Sequence, residues 1–270
     1  MDHQTPSLRF ADVNLTTGLR VRYAEQGRPD GHPIILLHGY TDSWFSFSRV
    51  LPLLPASYHV YALDQRGHGD SDRPASGYAI RDFAADVIAL MDAMGLPQAT
   101  VVGHSMGSLV ALEVALAAPE RVVRLVLAGS GTTLRNEEML KFKQAVDALN
   151  DPIPAAFARA FQVSTIHHPV PGDFLDVAVA ESLKLPASIW RQALAGQLAV
   201  DYAAQLGRIQ MPTLILRGDQ DTVFAPTAQD ALVVGLAATA VSKRYRETGH
   251  ALHWERPAEF IHDLNDFIAP

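Results

Sequence analysis

The 270 residues, 48% hydrophobic and 19% charged, suit one well-packed α/β domain with an insertion and are few for two independent domains. A formal net charge of −7 disfavours nucleic acid or an anionic membrane as partner, and the lack of cysteine excludes disulfides and thiolate chemistry. No apolar run approaches the roughly 18 residues of a membrane span, and the start "MDHQTPSLRF" lacks the basic and apolar segments of a secretory leader, so a cytoplasmic chain is expected.

In chain order, Leu8 to Val13 and Leu19 to Glu25 alternate apolar and polar residues, as half-buried antiparallel strands do. "PIILLHG" (Pro33 to Gly39) and "YHVYALD" (Tyr58 to Asp64) are short continuous apolar runs, the pattern of parallel strands buried on both faces. Ile80 to Met94 carries helical spacing and stops at Gly95-Leu96-Pro97. "TVVGH" reads as a strand and passes directly into Ser105 to Ala118, apolar nearly all round, as a buried helix is.

Strands return at Arg124 to Ser130, Met211 to Asp219 and Val241 to Glu247, and Pro257 to Ile268 closes the chain as a helix with proline in its first turn. Between Gly131 and Gly207 no strand is evident. Four helical patterns occupy that stretch: Asn136 to Asn150, Ala155 to Val163, Asp173 to Leu185 and Ala187 to Tyr202. The alternation predicts an α/β fold, a doubly wound and mostly parallel eight-stranded sheet. Residues 1–130 and 208–270 would form its core, and 131–207 a helical cap over one sheet edge.

The junction "VVGHSMGSL" carries the chemistry. A residue at a sharp strand-to-helix turn sits in strained backbone, and Gly103 and Gly107 supply the small neighbours that Ser105 needs there. Its hydroxyl would stand beyond a central strand, above the positive end of the next helix. A bare G-x-S-x-G arises by chance in roughly one chain in ten of this length. Its place between a strand and a long helix is what the motif requires.

A serine hydroxyl needs a base and an orienting carboxylate. Of 11 histidines, His250 in "ETGHALHWERP" lies between the last strand and the last helix, on the sheet edge that carries Ser105. His253 is its neighbour and competitor, already heading into the helix. For the acid, "LILRGDQDTVFAP" offers Asp219 and Asp221. Asp221 is preferred because it lies further past the strand end, whereas Asp219 suits a turn-capping role. The order Ser, Asp, His follows.

The segments "LLHGYTDSWFSF", "ALDQRGHGDSDRP", "VVGHSMGSLVALEVALAAPERVVRLVLAGS", "LILRGDQDTVFAP" and "TGHALHWERPAEF" resemble the α/β-hydrolase superfamily, in its cap-bearing esterase, lactonase and perhydrolase-like branch. The resemblance implies backbone N–H donors to an oxyanion from Tyr40 and Met106. It also sorts the relatives, because haloalkane dehalogenases and epoxide hydrolases place an aspartate where Ser105 stands. The glycine-rich oxyanion loop of the carbon–carbon bond hydrolases is missing after His38.

Serine implies acyl transfer through an acyl-enzyme, so a hydrolase of carboxylic esters or lactones is expected, acting on a small, moderately hydrophobic molecule. Trp44, Met139, Phe142, Phe161 and Trp190 are candidates for the substrate surface, with Phe45, Phe157 and Ile166 beside them. No cofactor motif is evident and no metal is expected; the pair His167-His168 has no third ligand at suitable spacing. Asp64, Arg66 and Ser71 read as hydrogen-bonding scaffold of their loop. Expected partners are limited to the small-molecule substrate, with the chain a monomer or homodimer. Cofactor-free perhydrolases or haloperoxidases, carbon–carbon bond hydrolases and slow-turnover small-molecule receptors are alternatives on the same fold.

Overall fold

In the computed structural model, eight strands form one sheet in the order β1-β2-β4-β3-β5-β6-β7-β8. The structure describes residues 7–269; the first six, part of the stretch read for a leader, and Pro270 lie outside the described residues. β1 (Arg9–Asn14) and β2 (Arg20–Gly27) form an antiparallel hairpin, and β2 joins β4 (Tyr58–Leu63) antiparallel. From there the sheet is parallel through β3 (His32–Leu37), β5 (Ala99–His104), β6 (Val122–Ala128), β7 (Thr213–Gly218) and β8 (Ala240–Tyr245).

The unbroken apolar runs have a simple cause. Along β3, Ile34 and Leu36 enter the core on one face of the sheet while Ile35 and Leu37 enter the core on the other, and all four are buried. Helices α1 (Ile80–Ala93) and α2 (Met106–Ala117) cover one face; α9 (Pro257–Ile268) packs on the other. Of α2 only Glu113 and Ala117 escape full burial, which explains its nearly uniform apolarity.

Between β6 and β7 the chain forms α3 (Glu137–Asp147), α4 (Ala155–Ser164), α5 (Gly172–Leu183) and α6 (Ala187–Leu198). The base of this insertion is closed where Tyr202 N–H donates to the Thr132 carbonyl at 2.8 Å. Helix α7 (Pro226–Gly235) was not foreseen, because "ALVVGLAATAV" reads as one apolar run; it divides between α7 and β8. The four-residue α8 (Leu252–Glu255) and two 3-10 turns, Trp44–Phe47 and Leu51–Leu53, are also new. Among the described residues no helix is long and apolar enough to cross a membrane.

The strand order places the site. β3 has β4 on one side and β5 on the other, so the winding direction reverses between them. Ligands in such sheets bind in the crevice beyond the strand ends at this reversal. The β3 end leads to His38-Gly39-Tyr40, and the β5 end leads to Ser105.

Candidate active site

Ser105 has φ 54° and ψ −121°, a conformation that L-residues avoid. The turn is tight enough to dictate both glycines. A Cβ on Gly103 would lie 2.1 Å from the Gly107 carbonyl oxygen, and one on Gly107 would lie 2.1 Å from that of Leu37. The surroundings hold the strain in place: Ser105 N–H donates to the Ala128 carbonyl at 3.0 Å, and Ser108 Oγ donates to the Ser105 carbonyl at 2.6 Å.

His250 and Asp221 meet. Nδ1 of His250 lies 3.0 Å from Asp221 Oδ2, with the two side chains 3% and 0% exposed. Asp221 Oδ1 accepts from the backbone N–H of Val223 at 2.8 Å and of Phe224 at 3.3 Å, which fixes the carboxylate plane. Asp219 is turned elsewhere: its Oδ1 accepts from Gln220 Nε2 at 3.3 Å and from Thr248 N–H at 3.4 Å. His253 points away into the core, its Nε2 3.0 Å from Ser46 Oγ. Gly249 is required by contact as well as by turning, since a Cβ there would lie 2.6 Å from His167 N. Glu255 Oε1 accepts from both Gly249 and His167 N–H, at 2.8 and 3.2 Å, so one carboxylate ties the His250 loop to the insertion.

The loop after β3 is held by a buried histidine. The Gly39 carbonyl accepts from His38 Nδ1–H at 2.8 Å, and His38 Nε2 accepts from Gln65 N–H at 3.0 Å. Burial, with the nearby charge site of His68, pushes His38 well below the usual histidine range, so it stays neutral in this role. Thr41 follows at φ 61°, a rare conformation for a β-branched residue. Among the described residues, neither Tyr40 N–H nor Met106 N–H donates to a protein acceptor. The next loop is braced as its polar residues suggested. Asp64 accepts from Trp44 and Asp70 N–H at 2.8 and 2.9 Å, Ser71 Oγ donates to the Asp64 carbonyl at 2.6 Å, and Arg66 grips Asp86 with two bonds of 2.6 Å.

Gly39, Tyr40, Ser105 and His250 line one cleft, which encloses about 450 Å³ with its mouth included. Its outer wall is apolar: Leu134, Met139, Phe142, Phe161, Leu194 and Val223. Three of the expected contact residues, Met139, Phe142 and Phe161, are therefore in the lining. Trp190 lies one layer behind, its ring edge-on to Tyr40 and Phe161 at 5.4 and 5.8 Å, and its carbonyl accepts from Tyr40 Oη–H at 2.6 Å. Trp44 is outside the cleft, edge-on to Phe10 at 4.8 Å on the far side of the sheet. Phe157 stacks on Phe142 at 6.1 Å, while Phe45 and Ile166 belong to a small cluster with Phe174 and Trp254.

Sequence reasoning passed over the polar lining: Asp42, His104, Gln162, Thr165 and Gln197. Asp42 was visible as the one acid in "HGYTDSW"; nothing in the sequence pointed to Gln162, which reaches it from α4 at 2.9 Å. Burial pushes the Asp42 carboxyl up to about 6, the bonds from Gln162 and Ser46 and the His250 charge site opposing that rise.

A family model described as alpha/beta hydrolase fold matches residues 32–257. This chain belongs to the α/β hydrolase family. RutD of Variovorax paradoxus (strain S110), provisionally named a carbamate hydrolase, is 32% identical over 261 residues, covering 92% of this chain and 96% of its own. Non-heme chloroperoxidase of Streptomyces lividans is 31% identical over 278 residues, covering 95% and 98%. Esterase EaEST from Exiguobacterium antarcticum superposes with a TM-score of 0.84 over 96% of this chain and 99% of its own; at 21% identity it shows the shared fold.

Proposed function

We propose that the protein hydrolyses carboxylic esters or lactones of small, moderately hydrophobic molecules through an acyl-enzyme on Ser105. The reading rests on the 3.0 Å bond between Asp221 and His250 at the rim of the cleft that holds Ser105. In the first half-reaction Ser105 Oγ attacks the ester carbonyl carbon while His250 Nε2 takes its proton. Asp221, on the other ring nitrogen, fixes the tautomer and stabilises the imidazolium.

The carbonyl oxygen becomes an oxyanion held by the N–H groups of Tyr40 and Met106. Such preorganised donors in a dry site contribute about 3–4 kcal/mol each. The carbon–oxygen bond then breaks, and the leaving alcohol takes the proton from His250. Water repeats the sequence on the acyl-enzyme, with His250 as base, releasing the acid and restoring Ser105. Residues 131–207 act as the lid that supplies the apolar wall.

One relative favours a second reading. The Streptomyces lividans chloroperoxidase aligns over nearly the whole chain, and peroxide in place of water would turn an acetyl-enzyme into a peracid, which oxidises halide. Turnover of short-chain nitrophenyl esters separates these readings from a slow receptor. Ser105→Ala is expected to lose at least about four orders of magnitude in that turnover, because such groups act as a unit. Retention of a tenth of the original rate would remove Ser105 from the mechanism. Peroxide-dependent halogenation in acetate, faster than ester hydrolysis in its absence, would promote the second reading.

A further inference from the structure

The cleft has two unlike ends, and the inner one is built from acceptors. Asp42 is 5% exposed, and its Oδ1 accepts from Gln162 Nε2 at 2.9 Å while Oδ2 accepts from Ser46 Oγ–H at 3.3 Å. The Gly39 N–H also faces it, and since a carboxylate can accept about four hydrogen bonds, these neutral donors leave it short of its capacity. No lysine or arginine lines the cleft, and among the described residues no cation forms an ion pair with Asp42.

Beside it stands His104, 3% exposed. Its Nε2 lies 3.2 Å from the His250 carbonyl, which can only accept, so the proton is on Nε2 and Nδ1 is a bare lone pair. That Nδ1 is buried and has no partner. A Cβ on Gly39 would lie 3.0 Å from Asp42 Oδ2, 3.1 Å from His104 Nδ1 and 3.3 Å from Ser105 Cβ. The two acceptors thus flank one glycine next to the proposed nucleophile. Buried acceptors short of donors are rare in folded proteins, and a ligand that brings the donor recovers the cost of their desolvation.

The geometry points to a donor-selecting subsite, in which Asp42 and His104 recognise a hydroxyl or, more strongly, an ammonium group that the ester carries near its reacting carbonyl, and reject a carboxylate there. The inference deepens the ester-hydrolase reading and rests on it. The electrostatics agree. Burial raises Asp42 only to about 6, so it is charged at neutral pH. Burial lowers His253 to about 3 and His104 well below the usual range, so both imidazoles are neutral and offer no counter-charge. An unpaired negative charge in a narrow cleft attracts a cation and excludes an anion.

The test compares kcat/KM at neutral pH within two isosteric series. On the alcohol side these are propyl, 2-hydroxyethyl and 2-ammonioethyl butanoate. On the acyl side they are the ethyl esters of butanoate, 3-hydroxypropanoate and β-alanine, with monoethyl succinate as the anionic member. In one series the ammonium ester should exceed its alkyl isostere at least about tenfold, the hydroxyl ester should fall between, and monoethyl succinate should be at least about tenfold slower than ethyl butanoate.

Asp42→Asn should bring the ammonium-to-alkyl ratio to within about threefold of unity, whatever happens to absolute rates; a role confined to holding the lid would leave the ratio alone. Equal rates in both series, or a preference that survives Asp42→Asn, overturns the subsite. Calorimetry on the unmodified protein adds a reading independent of turnover: butylammonium should bind at least about tenfold tighter than butanoate, and equal or reversed affinities overturn the inference. If no ester is turned over in a Ser105-dependent way, the hydrolase reading fails, and the calorimetry still decides the subsite.

Discussion

On the sheet side of the cleft the backbone is held where most residues do not go, with Ser105 at φ 54° and Thr41 at φ 61°. On the insertion side no residue between 131 and 207 has a positive φ; that wall is a stack of rings, with Phe142 5.1 Å from Phe161 and 6.1 Å from Phe157. Each strained residue costs about 1–3 kcal/mol and persists only where its surroundings over-determine it. Around Ser105 they do, through Ala128 and Ser108, and the loop that leads to Thr41 is pinned at Gly39 by His38 and Gln65. Chemistry needs individual atoms placed to fractions of an ångström, whereas a binding wall needs only area and shape. The two walls should therefore fail differently.

The sharpest separation is expected at the two aspartates that follow β7. Asp221→Asn keeps the shape but forces the wrong tautomer on His250, and a loss of about 10³–10⁴ in kcat is expected, by analogy with the serine-protease triad. Asp219→Asn disturbs Gln220, Thr248 and the Glu247 backbone but not His250, and should stay within about threefold of the unmodified rate. Steady-state kinetics on a nitrophenyl ester decides the matter. Equal losses would mean that the sheet-side wall tolerates redistribution of its parts.

Stability should follow the same division as pH falls. The five histidines whose affinity for protons is depressed by burial, His32, His38, His68, His104 and His253, all lie in the sheet-bearing part of the chain. His68 is pushed down to about 4 and His253 to about 3, against an ordinary value of 6.5. Each stabilises the fold fully above pH 6.5 and loses that contribution as pH falls toward its folded value; for His68 and His253 the loss is on the order of 2 kcal/mol apiece by pH 5. Asp42 and Asp64, both raised to about 6, act with the opposite sign: their contribution is present at low pH and is lost as pH rises through about 6. Five histidines outweigh two carboxyls, so Tm should fall by at least about 10 °C between neutral pH and pH 5. A flat or rising Tm would show that these imidazoles are not buried neutral.

The same contrast explains what could be read from the sequence. Every strand was legible: burial on both faces leaves an uninterrupted apolar signature along the inner strands β3 to β7, and half-burial leaves alternation along β2. The Ser105 turn was legible because Gly103 and Gly107 are dictated by contacts of 2.1 Å, and such constraint leaves a residue-specific mark. Asp221 was separable from Asp219 by its distance past β7. The inner polar end was not legible, because Asp42, His104 and Gln162 come together only through packing between the β3 and β5 ends and α4. Helix α7 was hidden by composition, since its run of Ala, Leu and Val continues almost without a break into Ala240 and Val241, the first residues of β8. The rings fared in between. Apolar helix positions were evident, but whether a ring faces the cleft, as Phe161 does, or backs it, as Trp190 does, depends on helix rotation that spacing alone leaves open.

The smallest effects are expected on the insertion wall, and Phe161→Leu is the measurement that would blur the contrast most. Phe161 lines the cleft and meets Tyr40 edge-on at 5.5 Å, so its ring touches the residue whose N–H is proposed to hold the oxyanion. Leucine keeps the apolar character and loses the aromatic contacts, each worth about 0.5–1.5 kcal/mol. If the wall supplies shape alone, KM for a benzoate ester should rise about three- to tenfold, KM for an acetate ester should change by less than about twofold, and kcat should hold for both. If kcat falls about a hundredfold or more for both esters, the ring positions the Tyr40 backbone, and the insertion takes part in the chemistry that the sheet edge was thought to hold alone.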